Sequence, residues 1–380
     1  MNKNNQCRVC GAMIAAPSLS TPSPSLTSVR TVLNVPTEVY VCENCEHAQS
    51  PDLPDVKEFY DTGYRISLDV EGHDQLYENR DGVSVFRTEV QAEMMSELGL
   101  ENGAKVLDFG AGKATTLQQY MIERPDIHPF VFDVSNDYSN HWQDWIPSEN
   151  QATYKIPEHW KSKFDLITAH FVIEHVPNPV ETLRDIGACL APGGKLFFSV
   201  PNPTKNSGDL LVIDHLNHFS RNSLTRALAE ADLTALTIDD NRFAGAFVIV
   251  AQQGKEETLP GVDTSNVKKS LKSWQAAIEE LKELSKEISG KDIAIYGAGF
   301  YGSLAAINLG TQARCFLDRN PYLQKQPHMG LPVLPPENCP ASISAVVVAL
   351  NPRIARSIVT GKEEWLPKTA SVYYVGGDPD

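Results

Sequence analysis

The chain is short of positive charge and has no long apolar run. Across 380 residues, 33 Lys and Arg face 48 Asp and Glu, a formal net charge of −15. A broad electrostatic footprint for DNA or RNA needs clustered Lys and Arg, so a nucleic-acid partner is not expected. One anionic ligand at a local site is still compatible, because helix N-termini bind phosphate without net positive charge. No stretch approaches the roughly 20 apolar residues that a membrane helix requires, which argues against a membrane partner. The longest apolar runs, residues 246–251 and 345–350, have the length of buried strands. Residues 1–6 contain no apolar signal core, and a cytoplasmic chain is expected.

Cysteine is sparse and unevenly placed. Of seven, four form two CxxC pairs, Cys7 with Cys10 and Cys42 with Cys45, while Cys189, Cys315 and Cys339 are scattered. Cytosolic thiols stay reduced, so no disulfide framework is expected, and the scattered three read as small buried hydrophobes. The two pairs together supply the four soft ligands of a structural Zn²⁺, with no coordination position left for catalysis. Redox pairs or unrelated cysteines are the alternatives. His47 lies close by but is not needed as a ligand.

A length of 380 residues exceeds one ordinary core and implies two or three domains. Residues 1–55 read as the zinc-binding segment, with a mobile Ser/Pro-rich loop over 16–28. Residues 56–103 read as a helical or lid segment, with an amphipathic helix near 83–98. In it Tyr60, Tyr64 and Tyr77 are placed either to fold over a site or to pack in a core. From 104 to 256, apolar runs at 105–109, 130–134, 164–169 and 195–200 alternate with helical segments, the pattern of a parallel, doubly wound α/β sheet. Residues 236–238 and 246–251 supply two closing strands. Residues 264–289 read as a linker helix, because Leu271, Trp274, Ile278, Leu281, Leu284 and Ile288 recur at three- and four-residue steps before Ser289-Gly290. Residues 290–380 form a second, Rossmann-like α/β unit.

Two glycine loops carry the functional information. In the first, Val106-Leu107-Asp108-Phe109-Gly110-Ala111-Gly112 runs from a strand into a helix. Glycine lets the backbone approach a ligand where a Cβ would block it. Asp133 ends the next strand, followed by Val134, and a carboxylate there can accept both hydroxyls of a ribose. Further on come Phe164-Asp165-Leu166-Ile167-Thr168-Ala169-His170, Val172-Ile173-Glu174-His175-Val176, Leu190-Ala191-Pro192-Gly193-Gly194-Lys195-Leu196 and His215-Leu216-Asn217-His218-Phe219-Ser220. In this order, over about 150 residues, the segments resemble class I S-adenosylmethionine (SAM)-dependent methyltransferases. The resemblance implies that Asp108, Phe109, Gly110, Ala111, Gly112, Asp133, Val134 and His170 bind the cofactor. Gly110 and Gly112 would pass its methionine portion and Asp133 would hold its ribose.

The second loop, Gly297-Ala298-Gly299-Phe300-Tyr301-Gly302, is a GxGxxG with Asp318 after the following strand. Alone it reads as a dinucleotide site. Preceded by paired CxxC motifs, a SAM-type domain and a long helix, it is similar to the three-part nucleotide-sugar C-methyltransferases. That resemblance implies that Gly297, Gly299 and Asp318 bind the nucleotide end of a sugar substrate. A packing module with no ligand, or an NAD site, stays open for this last unit. Where the family has a Tyr ahead of an acidic–His pair, this chain reads Val212-Ile213-Asp214-His215.

Methyl transfer requires an acceptor in line with the sulfonium methyl and a group that takes its proton, and histidine titrates in the right range. His170, His175, His215 and His218 all follow strand ends, where ligands bind in open α/β sheets. His215 is the expected base, Asp214 its orienting partner, and Asn217 and His218 the expected acceptor contacts. Glu174 and His175 are expected to cap and pack the next helix. A non-catalytic SAM-binding module, or a methyltransferase of an unrelated small molecule with a vestigial last domain, are the competing readings.

Overall fold

The computed structural model describes residues 6–53, 75–255, 258–259, 261–360 and 363–376. The chain divides into two interleaved units. The first takes residues 1–15, 41–205 and 215–263; the second takes 16–40, 206–214 and 264–380.

The first unit is built on a seven-stranded sheet. Its strands are β1 (Lys105–Phe109), β2 (His128–Asp133), β3 (Gln151–Thr153), β4 (Phe164–His170), β5 (Leu190–Pro201), β6 (Leu233–Asp239) and β7 (Ala246–Gln253). Their order is β3-β2-β1-β4-β5-β7-β6. The first five strands pair in parallel, and β7 runs antiparallel to both β5 and β6. The central strands are continuous apolar runs, as expected for strands covered on both faces. The connecting helices are α1 (Arg87–Ser96), α2 (Thr115–Glu123), α3 (Pro179–Cys189) and α4 (Arg221–Glu230). Pro179 opens α3, where its missing N–H costs nothing. At α4, Ser220 and Ser223 cap each other reciprocally, Ser223 N donating to Ser220 Oγ at 3.1 Å.

One core face gathers Met95, Leu117, Tyr120, Trp142, Leu166 and Phe197. Each such side chain contributes about 1.5–3 kcal/mol on burial. A second cluster stacks Phe130, Trp160 and Phe164 edge to face at 5.0–5.6 Å.

The helix expected near 83–98 begins later. Leu76–Arg80 and Val83–Phe86 form an antiparallel hairpin, and α1 starts only at Arg87. The cause is Asp81-Gly82, both at positive φ (51° and 90°), which is turn chemistry for a two-residue hairpin. Tyr77 lies in this hairpin, packs on Phe243 with ring centroids 4.6 Å apart, and accepts a hydrogen bond from Ala244 N. Tyr60 and Tyr64 lie outside the described residues.

In the second unit, the Ser/Pro-rich stretch contains two short strands. Leu19–Thr21 pairs with Thr37–Val41, and Ser25–Leu26 pairs with Val32–Leu33. Leu19 and Leu26 are buried and anchor it, a pattern too short to register as periodicity. The helix α5 (Ser265–Glu287) buries Leu271, Trp274, Ala277, Ile278 and Leu281 on one stripe and ends before Gly290, whose φ is 81°. A five-stranded, wholly parallel sheet follows, made of β8 (Ile293–Tyr296), β9 (Ala313–Leu317), β10 (Val333–Leu334), β11 (Ala345–Val348) and β12 (Ser371–Tyr374). Its order is β10-β9-β8-β11-β12, with α6 (Phe300–Leu309) after β8 and α7 (Pro352–Val359) after β11. This is a doubly wound arrangement whose strand order reverses beside β8, where the second glycine loop sits. Among the described residues, no helix is long and apolar enough to cross a membrane.

Candidate active site and four-cysteine cluster

The parallel strands bring Asp108, Asp133 and His170 to one rim, at the carboxyl ends of β1, β2 and β4. The loop between β1 and α2 turns through Gly110 (φ 73°), Gly112 (φ 51°) and Ala114 (φ 56°). Phe132 O accepts from Gly110 N and Ala111 N at 2.8 and 3.0 Å, which holds the loop across β2. A Cβ on Gly110 would lie 2.5 Å from Val172 Cγ2, so glycine is required there on both conformational and steric grounds. Trp142 Nε1 donates to Gly112 O at 2.7 Å from a fully buried ring.

Two carboxylates face this loop. Asp133 accepts from Gly112 N at 2.9 Å on one oxygen and from Ser135 N at 3.0 Å on the other. Burial raises its pKa. Asp108 accepts from Thr168 Oγ1 at 2.8 Å. Burial, with the nearby charge of Asp133, pushes its carboxyl up to about 6. Val134, next to Asp133, leaves about half its surface exposed (52%), an apolar face at the rim.

His170 is the most isolated polar group at the rim. Both ring nitrogens are buried and have no hydrogen-bond partner among the described residues. Its ring meets Phe197 edge-on at 5.5 Å. Burial, reinforced by the Arg87 charge, holds its pKa down to about 3, so it is neutral at working pH.

The loop after β4 carries Glu174 and His175 inward. His175 Nε2 stands 4.0 Å from Glu174 Oε1, and its ring meets His215 edge-on at 4.7 Å between centroids. One ligating atom from each of Glu174, His175 and His215 falls within 4.8 Å of the others, and all three residues are buried. Over that spacing protons can be passed, or a divalent cation gripped. His175 thus lies with His215, two of the four histidines expected at the strand ends, while the helix that Glu174 and His175 were expected to cap is entered through Asn178.

Other expected site residues are placed differently. Asn217 is buried at 1% exposure. Its Oδ1 faces His47 Nε2 at 3.1 Å and its Nδ2 donates to the carbonyls of Val176 (2.7 Å), Ile173 (3.3 Å) and Glu174 (3.4 Å). That commits its whole amide, leaving no proton for a bound molecule. His218 is equally buried, with Nε2 3.1 Å from Ser50 Oγ. Asp214 belongs to the second unit, and its two oxygens accept from Ser28 N and Ser28 Oγ, both at 2.6 Å. Also in the second unit, Gly297 (φ 107°) has room for no Cβ, which would lie 2.5 Å from Ala349 O. Asp318 there accepts from Ala298 N and Asn320 N at 2.8 Å each.

The four cysteines of the two CxxC pairs converge. Cys7 and Cys45 sulfurs are 3.6 Å apart and those of Cys10 and Cys42 are 3.5 Å apart, with all four within 4.8 Å. A tetrahedral zinc with bonds of 2.3 Å would set sulfurs about 3.8 Å apart, whereas a disulfide would set them about 2 Å apart. The donor set therefore fits the metal and not a disulfide. Hydrogen bonds from Cys45 and Cys7 lower the pKa of the Cys42 thiol. Asn44 adds an N–H to the Cys42 sulfur and a side-chain N–H to that of Cys10, each at 3.4 Å.

Residues 84–238 match a family described as a methyltransferase domain. The C-methyltransferase NovU of Streptomyces niveus is 23% identical over 307 residues, 72% of each chain. A ubiquinone biosynthesis O-methyltransferase of Coxiella burnetii (strain RSA 493 / Nine Mile phase I) is 31% identical over 105 residues, 26% of this chain and 44% of that one. Its counterpart in Xanthomonas axonopodis pv. citri (strain 306) is 28% identical over 116 residues, covering 29% and 48%. The chain thus spans less than half of these O-methyltransferases but about three quarters of NovU. Among solved structures, a putative methyltransferase in complex with the Haloferax volcanii Trm112 activator aligns at 16% identity and a TM-score of 0.38, covering 44% of this chain and 91% of that one. The matched residues hold the glycine loop, both rim carboxylates and the Glu174-His175 loop, and these likenesses support a class I methyltransferase that uses S-adenosylmethionine.

Proposed function

We propose that the chain transfers a methyl group from SAM to a small molecule, a nucleotide-linked sugar, with His215 as the base. The observation that carries this is the buried contact of His215 with His175 and Glu174. The NovU likeness supports a C-methylated acceptor, since it extends well beyond the methyltransferase domain.

When bound, SAM supplies a methyl group on sulfonium that is open to in-line attack. Gly110 and Gly112, with Phe109 and Ala111 between and beside them, pass its methionine portion. Asp133 would hold the ribose, and Val134 would lend an apolar face to the base. Asp108 supplies negative charge toward a cationic ligand. His170, with two buried nitrogens lacking protein partners, lies where a ligand or ordered water can satisfy them.

His215 then takes a proton from the acceptor, from a hydroxyl for O-methylation or from carbon beside a carbonyl for C-methylation. The electron pair so freed would attack the methyl group, for which bound SAM would supply a neutral thioether leaving group. His175 and Glu174 share the positive charge that His215 acquires. In this reading Glu174 takes the orienting part that sequence gave to Asp214, whose carboxylate is engaged by Ser28. His218 supports the site from behind. In the second unit, Gly297 and Gly299 with Asp318 offer a nucleotide site of their own. The four cysteines hold a structural zinc, which the sulfur spacing supports.

The test is a SAM-turnover screen across nucleotide sugars, with mass spectrometry for a gain of one methyl group. Product from at least one sugar, reduced about 100-fold or more in His215→Ala, is expected. A His215→Ala enzyme with undiminished turnover would end the base assignment. Methylation of phenolic acceptors with no sugar product would favour a second reading, for which the O-methyltransferase likenesses speak. There the second unit is a packing module.

A further inference from the structure

The four-cysteine segment reaches the histidine pair through hydrogen bonds that no cofactor or zinc ligand uses. His47, two residues after Cys45, is fully buried, and its backbone oxygen closes the knuckle by accepting from Cys42 N at 2.8 Å. Its Nε2 faces Asn217 Oδ1 at 3.1 Å. Since Asn217 Nδ2 is turned to three carbonyls, the oxygen must face His47 and can only accept. His47 is therefore held as the tautomer with hydrogen on Nε2. The three carbonyls belong to Ile173, Glu174 and Val176, the peptide that carries His175. Asn217 N also donates to Glu174 O at 3.0 Å.

The first knuckle makes a parallel tie. Arg8, between Cys7 and Cys10, donates from Nη1 to Leu216 O at 2.6 Å and to Ser50 O at 2.8 Å, and from Nη2 to Asp52 at 2.6 Å. Leu216 is the neighbour of His215. Behind it, Asn217 and His218 pair in an antiparallel ladder with Gln49 and Ala48.

From this we infer that His47 and Asn217 are positioning residues: they brace the His175 loop and the His215 peptide against the four-cysteine segment and so set the distance between the two imidazoles. The inference rests on the reading of His215 and His175 as the proton-handling pair. The brace reaches both: Asn217 bonds one side of the pair from a position two residues after the other. A buried amide with every hydrogen bond made can have only one arrangement of its partners, and loss of one partner strands the rest. A displacement of about 1 Å at a reacting group costs on the order of 100-fold in rate.

The test compares wild type, His47→Leu, His47→Gln and Asn217→Ala in the full chain. Each is measured for zinc content, SAM affinity by calorimetry, kcat and KM, and the imidazole NMR signals of His175 and His215. His47→Leu removes the N–H; His47→Gln keeps one at nearly the same reach. Expected are unchanged SAM affinity, shifted signals for both imidazoles in His47→Leu and Asn217→Ala, and kcat lowered on the order of 100-fold with KM little changed. His47→Gln should restore the signals and bring kcat within about threefold of wild type. Should His47→Leu lose zinc or fold poorly, Asn217→Ala, outside the knuckle, decides instead. Imidazole signals of His175 and His215 unmoved in folded, zinc-replete Asn217→Ala would overturn the brace. A brace seen in these signals while His215→Ala keeps full turnover would instead overturn the base assignment alone.

Discussion

Asp108→Asn should make the ligand-free protein more stable while weakening its hold on SAM, and the gain should depend on pH in a set way. The Asp108 carboxyl is 5% exposed, accepts one hydrogen bond from Thr168, and is pushed up to about 6 by burial and then by Asp133. Against an ordinary value of 3.8, at 1.36 kcal/mol per pH unit, the folded protein prefers the neutral carboxyl by about 3 kcal/mol. The sign follows from linkage. The folded state binds this proton more tightly than the unfolded state, so its stabilising effect is complete below 3.8 and is lost as pH rises to about 6. Above that the ionised group is a fixed burden. Asn mimics the neutral carboxyl and can still accept from Thr168. The variant-minus-wild-type difference in melting temperature should therefore be small at pH 4, rise between 4 and 6.5, and level off at several degrees, since each kcal/mol moves a domain of this size by about 2–4 °C. Using the difference cancels every other carboxylate. Saturating SAM, a cation at sulfur and at its amino group, should erase the advantage or reverse it. A difference that stays flat from pH 4 to pH 7 would refute the argument, because a buried anion at this position could not then carry the cost.

Three further outcomes follow from the same geometry. Gly110→Ala meets Val172 Cγ2 at 2.5 Å with φ at 73°, so it should lose about 2–4 kcal/mol in denaturant melts, and adding Val172→Ala should recover part of that through a non-additive term. Asp133→Ala should remove SAM binding measurable by calorimetry while also freeing Gly112 N and Ser135 N; unchanged affinity would move the ribose elsewhere. Cys42→Ser should release about one equivalent of zinc per chain, read with a colorimetric chelator, and should lower the melting temperature sharply, because metal binding free energy in such sites is folding free energy.

Much of the framework was legible because the central strands are unbroken apolar runs. Residues 105–109 and 293–296 could be read directly, and they are β1 and β8. The stripe on α5 was legible for the same reason, one residue type recurring at one period. Where the signal was a turn and not a period, it was passed over: Asp81-Gly82 converts the start of an expected helix into a hairpin. The site was legible only as far as its residues are local in sequence. The first glycine loop and Asp133 announce themselves, since each stands at a strand end. His175 meets His215 across 40 positions of chain, and His47 meets Asn217 across 170. No spacing rule connects such pairs, so Glu174 and His175 looked like helix caps and Asn217 like a ligand contact. An Arg inside the first CxxC and a His just after the second were the visible hints that those knuckles hold something besides metal.

The groups of the rim share a physical trait. Asp108 and Asp133 are two carboxylates driven toward neutrality by burial, and His170 is a neutral ring with both nitrogens unsatisfied. Left alone, these groups cost stability. A sulfonium amino acid, with two cationic groups against one carboxylate, would stabilise the ionised form of both Asp108 and Asp133. That same positive charge disfavours a protonated imidazole nearby, which keeps a base in its proton-accepting form until the acceptor arrives. On the proposed function, His215 would gain a positive charge as it takes the acceptor's proton. Glu174, buried beside His175, lies where that new charge would be shared. On the proposed function, the cost of burying these carboxylates and the removal of the acceptor's proton would come from one arrangement of charges, so substitutions that relieve the first, Asp108→Asn above all, should blunt the second.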